Sequence, residues 1–184
     1  MIFNEHWNLE GRHAFLSPSQ YHWTNYDLEK LETRYFNSKA AERGTELHEY
    51  AAMAIRLGRK QPRNKDTINM FVNDAIGYMM TPEQPLYYSE NCFGTTDAIA
   101  FNKGTVLRIH DLKTGLTPAS MTQLYIYAAL FCLEYGKNPS SIDTILRIYQ
   151  SNEIIEEEGD PELIASLMDR IIQFDAFIES LKEG

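Results

Sequence analysis

Residues 94–115 read GTTDAIAFNKGTVLRIHDLKTG, and this stretch decides the fold of the chain. It contains two short apolar runs, residues 95–101 and 105–112, separated by the turn-forming residues 102–104. Apolar runs rich in β-branched and aromatic residues around a break that contains Gly are typical of a β-hairpin. The sequence therefore predicts two antiparallel strands at the centre of the protein.

Three charged side chains interrupt or end these apolar runs. Asp97 lies inside the first run and is followed directly by the apolar residues 98–100, whereas Asp111 and Lys113 lie at the end of the second run. Because side chains alternate between the two faces of a strand, Asp111 and Lys113 share a face. Charges at the end of a hairpin are often simply solvated, but a carboxylate at a half-buried strand position is costly unless another group pairs with it. Asp97 therefore indicates a functional cluster more strongly than the other two residues.

The length of the turn decides whether Asp97 can join the other two charged groups. A three-residue loop with Gly104 in the left-handed conformation pairs Asp97 with Ile109. Asp97 then shares the face of Asp111, at a diagonal distance of roughly 7–8 Å. A two-residue loop instead places Asp97 opposite Arg108, on the other face. Only the three-residue loop gathers two carboxylates and an ammonium group at one strand end, which suits a divalent cation and a phosphate.

Length and composition predict a single domain with a hydrophobic core. The chain has 184 residues, of which 43% are hydrophobic and 12% are aromatic, and this composition argues against disorder. We expect an aromatic N-terminal extension over residues 1–36, a catalytic core over residues 37–150 and a C-terminal helix over residues 160–182.

Targeting and redox signals predict an intracellular protein. The longest apolar run, residues 124–133, is too short to cross a bilayer, and polar residues at positions 6–12 break up any apolar signal region. Cys92 and Cys132 are too few for a disulfide framework or a four-cysteine metal site. We therefore expect a reducing, cytoplasmic setting without membrane association.

Charge is distributed unevenly along the chain. The net charge is −9, but residues 34–65 carry eight Lys and Arg against three Glu, so this segment is +5 and the remainder is −14. Such asymmetry can give an acidic protein a local positive face, although a solvated helix surface explains the same pattern. The overall acidity argues against tight, sequence-independent coating of duplex DNA.

The remaining elements alternate between helices and strands, which predicts an α/β fold. Asn37 or Ser38 can cap a first helix that ends near Gly58, and Thr117 can cap a later helix with Pro118 in its first turn. We predict a basic loop over residues 60–65, a helix over 66–79, a connector over 81–85, a strand over 86–92, the later helix to residue 135, a strand over 141–150, an acidic loop over 153–160 and a final helix.

Two of these helices carry polar side chains among apolar ones. In the first helix, His48 falls on the inward side with Ala51 and Ile55, at helical spacing. In the later helix, Gln123 and Tyr127 are four residues apart and share a face, and the residues around them are apolar on nearly all sides. A lone inward histidine is usually a hydrogen-bonded core residue, and a glutamine at a helix start is usually exposed. These residues gain a functional meaning only if they meet the charged cluster of the hairpin.

Taken in chain order, these residues resemble the motifs of the RecB-like branch of the PD-(D/E)XK nucleases. The resemblance covers about residues 40–150, although no proline precedes Asp97, in contrast to many members of the branch. The motifs are GTELH at 44–48, GTTD at 94–97, DLKTG at 111–115 and the pair Gln123 and Tyr127, with LSPS at 16–19 resembling the start of stand-alone phage and bacterial exonuclease-type members.

The resemblance implies a restriction-endonuclease-like core, in which helices flank a mixed central β-sheet, and a site that binds Mg²⁺ or Mn²⁺. Imidazole suits Mn²⁺ better than Mg²⁺. Relatives with an iron–sulfur cluster use four cysteines, so we expect no cluster here. The implied metal ligands are His48, Asp97, Asp111 and the Leu112 carbonyl; Lys113 would orient water and stabilise the phosphorane, and Gln123 and Tyr127 would position the DNA or the lysine.

The resemblance further implies a metal-dependent deoxyribonuclease, an exonuclease that acts on single-stranded DNA or duplex ends in recombination, repair or phage replication. Such a protein would work in the cytoplasm of a bacterium or a phage-infected host cell. Because the sequence shows no helicase motor, processivity would come from a homo-oligomer or from a recombination or replication partner protein. Two alternatives stay open: a non-catalytic nucleic-acid-binding or assembly module on the same fold, and a regulatory protein that binds another nuclease through its acidic C-terminal half.

Overall fold

A five-stranded mixed sheet flanked by helices is the centre of this α/β protein. A computed structural model describes residues 14–115 and 117–182, and the chain forms two compact units, one up to Thr45 and one from Glu46 onward. The described elements are a 3₁₀-helix at Pro18–Asn25, α1 at Leu28–Arg56, α2 at Thr67–Gly77, β1 at Thr81–Ser89, β2 at Cys92–Asn102, β3 at Val106–Lys113, α3 at Thr122–Glu134, a 3₁₀-turn at Pro139–Ser141, β4 at Asp143–Gln150, β5 at Glu153–Glu158 and α4 at Pro161–Lys182.

The first unit contains the 3₁₀-helix at Pro18–Asn25. The indole of Trp23 donates a hydrogen bond to the Ser17 carbonyl at 3.0 Å, and Phe15 contacts Tyr35 edge-on with ring centroids 5.5 Å apart. These aromatic residues therefore pack within their own unit. Positions 6–12, whose polar residues argue against a signal region, lie outside the described residues.

β2 and β3 form the predicted hairpin, but their register differs from the predicted one by two residues. Ile99, not Asp97, lies opposite Ile109. The loop has three residues and Gly104 is left-handed with φ +74°, as predicted, but Lys103 is left-handed as well, with φ +54°. The loop therefore comprises residues 103–105 instead of 102–104. The predicted pairing is wrong because a lysine gives no sequence signal of a left-handed backbone.

The difference of two residues leaves Asp97 on the predicted face. Side chains alternate with a period of two, so an even shift in register does not exchange the faces. Ala98 pairs with His110, and the next positions in that register are Asp97 and Asp111. The two carboxylates thus occupy opposed positions on neighbouring strands instead of diagonal ones.

Apolar side chains cover both faces of the sheet in the second unit. α3 connects β3 to β4, which are parallel, as a crossover helix does. With α4 it packs on one face, and α2 and the last turns of α1 pack on the other. The first core includes Ile109, Leu124, Ala128, Leu146 and Ile164, and the second includes Ala51, Ile55, Phe71, Val72 and Leu112.

α1 begins at Leu28, well before the predicted start at residue 37 or 38. Asp27 caps it, because its carboxylate accepts a backbone N–H of the first turn at 2.7 Å. The helix continues through Gly44 without a break.

Both edge strands of the sheet include segments that the sequence predicts as loops, although the end of β1 falls within the predicted strand over residues 86–92. β1 begins inside the predicted connector over residues 81–85, and β5 covers most of the predicted acidic loop over residues 153–160. Proline is tolerated on an edge strand because its missing N–H can face outward, so Pro82 and Pro85 do not interrupt β1. Every residue of β5 is exposed, so the alternation that marks a half-buried strand is absent from its sequence.

α3 begins at Thr122, so the prediction that Thr117 caps it with Pro118 in its first turn is wrong. The buried side chain of Gln150 holds this segment instead. Its amide donates to the Thr117 carbonyl at 2.8 Å, and its oxygen accepts the Ala119 N–H at 3.1 Å. These side-chain bonds satisfy backbone groups that a helix would otherwise pair.

The predictions for α2, β4 and α4 are confirmed to within two residues. Asp66 caps α2 by accepting the Ile68 N–H at 3.1 Å, and Asp160 caps α4 by accepting the Glu162 N–H at 2.9 Å. None of the described helices combines the length and apolar character needed to cross a membrane.

A buried polar network connects the sheet to α2. The Tyr149 hydroxyl donates to Asp74 at 2.7 Å and lies 3.2 Å from Nδ1 of His110, and Arg147 reaches Asp74 at 3.0 Å. His110 is fully buried, and burial, together with the charges of Arg147 and Arg108, lowers its pKa to about 3. The imidazole is therefore neutral at physiological pH.

We predict that Tyr149→Phe lowers the free energy of unfolding by about 1–3 kcal/mol, because it removes one hydroxyl from the buried His110 ring and the half-buried Asp74 carboxylate. Urea unfolding monitored by circular dichroism measures the change. Tyr87→Phe is the matched control: its hydroxyl is exposed and bonds Glu90 at 3.2 Å, so the loss should stay within about 0.5 kcal/mol. Equal effects of the two substitutions would contradict a stabilising role for this network.

Candidate metal and phosphate site

Asp111 supplies a buried carboxylate at the carboxyl end of β3. It is 3% exposed, and its Oδ1 and Oδ2 lie 3.2 and 3.0 Å from the Lys113 ammonium nitrogen. Oδ2 makes this ion pair but, within the described residues, has no partner in hydrogen-bonding geometry. Burial and the neighbouring charge of Asp97 raise the pKa of Asp111, while Lys113 and His48 act in the opposite direction. One oxygen of a buried anion is therefore available to a further cation or proton donor.

Asp97 links this strand end to α1. Its Oδ2 accepts the backbone N–H of Leu112 at 2.7 Å, and its Oδ1 lies 3.3 Å from Nδ1 of His48. The hydrogen bond to Asp97 raises the pKa of His48 above 6.5 despite partial burial, and the charges of Glu83 and Asp111 act in the same direction. Asp97 thus contacts two of the groups predicted to surround a metal.

Glu83 is the functional candidate that the sequence interpretation missed. It belongs to β1, where its neighbours Pro82 and Gln84 pair with Ala98 and Thr96 of β2, so it lies opposite Asp97. One ligand atom from each of His48, Glu83 and Asp97 lies within 4.8 Å of the others. Burial and the charge of Asp97 raise the pKa of Glu83, whereas His48 and Arg56 oppose the rise.

The backbone at Glu83 has a φ of +51°, a left-handed value that is uncommon for a residue with a side chain. The segment around it gave no sequence signal of a site, because Pro82 and Pro85 make it look like a connector. Only the register of β1 against β2 shows that this carboxylate meets Asp97.

Lys113 is held by a chain of polar contacts that ends on α3 and β2. Its ammonium group donates to Gln123 Oε1 at 2.8 Å, and the Gln123 amide lies 3.4 Å from the Tyr127 hydroxyl. That hydroxyl donates to the Thr95 carbonyl at 2.6 Å. Gly94 leaves room for the tyrosine, because a Cβ there would lie 3.1 Å from the ring. The glutamine and the tyrosine thus fix the position of the lysine.

The predicted site residues therefore converge, in two connected groups. His48, Glu83 and Asp97 form the first, and Asp111, Lys113, Gln123 and Tyr127 form the second; Asp111 lies outside the group of ligand atoms within 4.8 Å of one another. The Leu112 N–H joins them through Asp97. Comparisons with models of known protein families and with curated proteins give no match, so the chemistry of the site is inferred from its own geometry.

We predict that Asp97→Asn lowers the pKa of His48, because it removes the anion that accepts the imidazole hydrogen bond while partial burial remains. Since the folded-state pKa in the wild type lies above 6.5, the stability contributed by this pair is complete below pH 6.5 and is lost as the pH rises through the folded-state value. NMR titration of the His48 ring in EDTA measures the shift. Asp143→Asn, an exposed carboxylate on β4, is the control, and an unchanged His48 pKa in Asp97→Asn would contradict the pairing.

Proposed function

We propose that this protein is a metal-dependent deoxyribonuclease with a restriction-endonuclease-like core, similar to the RecB-like branch of the PD-(D/E)XK nucleases. One observation carries the proposal: Asp97 and Asp111 lie just beyond the last paired residues of β2 and β3, with an imidazole from α1 beside one carboxylate and a lysine beside the other. This is the arrangement expected of a site that pairs a hard cation with a phosphate.

The donor set fits Mg²⁺ or Mn²⁺. Ligands at about 2.1 Å from an ion lie roughly 3–4 Å apart, and the His48, Glu83 and Asp97 ligand atoms all lie within 4.8 Å of one another. The buried Oδ2 of Asp111, which has no hydrogen-bond partner within the described residues, would be a further oxygen ligand. The N–H and C=O of one strand residue point toward the same neighbouring strand, so the Leu112 carbonyl faces the side on which Asp97 lies. A histidine among carboxylates favours Mn²⁺.

When bound, the ion would supply an acidic water and would neutralise charge on the scissile phosphate. The protein residues would do the rest. Lys113, held by Asp111 and Gln123, would donate to a phosphate oxygen or orient the attacking water. Tyr127 would keep the glutamine in place, and the Leu112 N–H would hold Asp97 in the orientation that meets His48. A fixed ammonium group costs little reorganisation when charge develops on the phosphate.

We propose single-stranded DNA or the ends of duplex DNA as the substrate, and exonucleolytic hydrolysis in recombination, repair or phage replication as the role. The negative net charge of −9 argues against broad coating of duplex DNA. A cytoplasmic setting, and a homo-oligomer or a recombination or replication protein as partner, complete the proposal on the same resemblance.

We predict that the purified protein cleaves end-labelled DNA with Mn²⁺ or Mg²⁺ and not in EDTA. Asp97→Asn, Asp111→Asn and Lys113→Met should each reduce the rate at least about 100-fold, because each removes a charge from the reacting phosphate or its cation. Gel assays on single-stranded, duplex and closed circular DNA measure cleavage and distinguish end-dependent from internal hydrolysis.

Glu153→Gln and Lys103→Gln, exposed residues on β5 and in the hairpin loop, are the matched controls for that assay and should retain full activity. Cleavage that persists in Asp111→Asn at the wild-type rate would mean a contaminant or a different site. DNA binding without metal-dependent cleavage would favour the non-catalytic module on the same fold.

We predict that Glu83→Gln weakens Mn²⁺ binding by about tenfold or more, because cation affinity at oxygen sites rises with the number of charged ligands. Calorimetric titration of the protein, without DNA, measures the dissociation constant. Glu90→Gln, an exposed carboxylate just beyond β1, should bind Mn²⁺ like the wild type. Equal affinities in Glu83→Gln and wild type would remove Glu83 from the ligand set and leave Asp97 and Asp111 as its carboxylates.

A further inference from the structure

The connection between α1 and α2 is the most basic part of the second unit. Residues 56–65 contain five Lys and Arg and neither Asp nor Glu, although the whole chain carries 26 acidic residues against 17 basic ones. All five basic residues are exposed, and none forms an ion pair with a carboxylate within residues 14–115 and 117–182. They are Arg56, Arg59, Lys60, Arg63 and Lys65.

The turn that ends α1 carries the chain away from the helix axis. Gly58 is left-handed, with φ +62°; its N–H donates to Ile55 and the Arg59 N–H donates to Ala54 at 2.8 Å. This paired C-terminal cap is the Schellman arrangement, which stops a helix and reverses the direction of the chain. The basic residues that follow therefore leave the helix axis instead of continuing along it.

Gln61 fastens the connection to α2. Its backbone N–H donates to Asn73 Oδ1 at 2.9 Å, and its carbonyl accepts the Asn73 amide at 3.1 Å. Its side chain accepts the Tyr50 hydroxyl at 2.8 Å, and Asn64 accepts an N–H from Asp66 at 3.1 Å. These bonds order the backbone on both sides of the cations, so a ligand would not have to order it.

The helix dipole accounts for only part of this charge. Cations near a helix C-terminus are stabilised by the unpaired carbonyl groups of the last turn, which explains Arg56 and Arg59. The effect falls off within one turn, so it does not explain Arg63 or Lys65. The adjacent carboxylate, Asp66, caps α2 by accepting the Ile68 N–H, and neither cation forms an ion pair with a carboxylate in the part of the chain that the structure describes. The mutual repulsion of the basic residues is a cost that an anionic ligand would relieve.

Three of the five cations, Lys60, Arg63 and Lys65, line a cleft of about 710 Å³ between this connection and α2. The amide groups of Gln61, Asn64 and Asn73 also line it, so donors and acceptors accompany the positive charge. Asp74 lies in the lining, but Arg147 and Tyr149 already engage its carboxylate. Lys60, Arg63 and Lys65 supply the cationic part of the wall.

The basic segment begins next to the proposed metal site. Arg56 is in the last turn of α1, two helical turns beyond His48, and its charge acts on Glu83. From Arg56 the cations continue through the cap to the cleft. A polyanionic chain with one phosphate at the metal site can therefore meet the next cations along α1.

We propose that the cleft lined by Lys60, Arg63 and Lys65 binds the phosphate backbone of the single DNA strand whose end enters the metal site. This inference rests on the proposed function. The cleft adds an electrostatic binding surface, which is separate from the groups that hold the cation and the lysine. A single strand fits better than a duplex because few cations, with neighbouring amides, suit a flexible backbone with accessible bases.

The test is binding of a fluorescein-labelled single-stranded oligonucleotide to the full chain in EDTA, followed by anisotropy at several salt concentrations. We expect Lys60→Gln/Arg63→Gln/Lys65→Gln to bind about 100-fold more weakly at 0.1 M salt. The slope of log K against log salt should fall by about 2, since each lost phosphate contact to a single strand contributes about 0.7. These three residues lie beyond the last turn of α1, so its dipole is undisturbed.

The control is Lys103→Gln/Arg170→Gln/Lys182→Gln, which removes the same charge from three exposed residues on the hairpin loop and α4. It should bind like the wild type, and thermal melting should show that both variants are folded. The proposal of a DNA-binding cleft would be overturned if the cleft variant and the control lose DNA affinity equally. It would also be overturned if the wild type does not bind the oligonucleotide at low salt.

These outcomes separate the two proposals. Loss of binding in the cleft variant, together with wild type that cleaves no DNA with Mn²⁺, would support the cleft and overturn the nuclease. Metal-dependent cleavage by the wild type, with unchanged binding and salt slope in the cleft variant, would support the nuclease and overturn the cleft. Tighter binding to an acidic peptide than to DNA, lost in the cleft variant, would overturn DNA as its ligand.

Discussion

The Leu112 N–H donates to the Asp97 carboxylate at 2.7 Å, just beyond the last paired residues of β2 and β3. This bond fixes the Asp97 carboxylate at the end of the hairpin strands. It orients the Asp97 carboxylate toward His48 on α1. On β3, the residue before Leu112 is Asp111, whose carboxylate lies beside the Lys113 ammonium group. Without the Leu112 bond, Asp97 would be a carboxylate at a fraying strand end, and the group of His48, Glu83 and Asp97 would lose its hydrogen bond to β3.

The register of the hairpin makes this bond available. Lys103 and Gly104 both adopt left-handed backbone angles, and together they set the pairs that end with Ala98 and His110. On its other edge, β2 pairs with β1, and this pairing places Glu83 opposite Asp97. The site thus gathers acidic groups from three adjacent strands, and their repulsion is partly offset by Lys113 and His48. On the proposed function, the repulsion that remains would favour the binding of a cation.

The proposed cleft would bind further phosphates of the same DNA strand through its positive charge. An acidic protein repels a nucleic acid at a distance, so contact depends on a local concentration of positive charge. The α1–α2 connection supplies that concentration on a backbone ordered by Gln61 and Asn73. On the proposed function, recognition and chemistry are divided between a region that binds phosphates through their charge and a site that acts on one of them.

The sequence by itself determined the hairpin, the helices after Asp66 and Asp160, the shared face of Asp97 and Asp111, and the motif residues that converge. Local rules are enough for these features, because apolar periodicity, capping residues and the two-residue period of a strand are written in neighbouring positions. Tertiary structure alone decided the register, the first half of β1, the edge strand β5, the Gln150 bonds that delay the start of α3, and the participation of Glu83. Each of these depends on partners distant in the sequence: a proline-containing edge is a strand only beside β2, and Glu83 meets Asp97 only through that pairing.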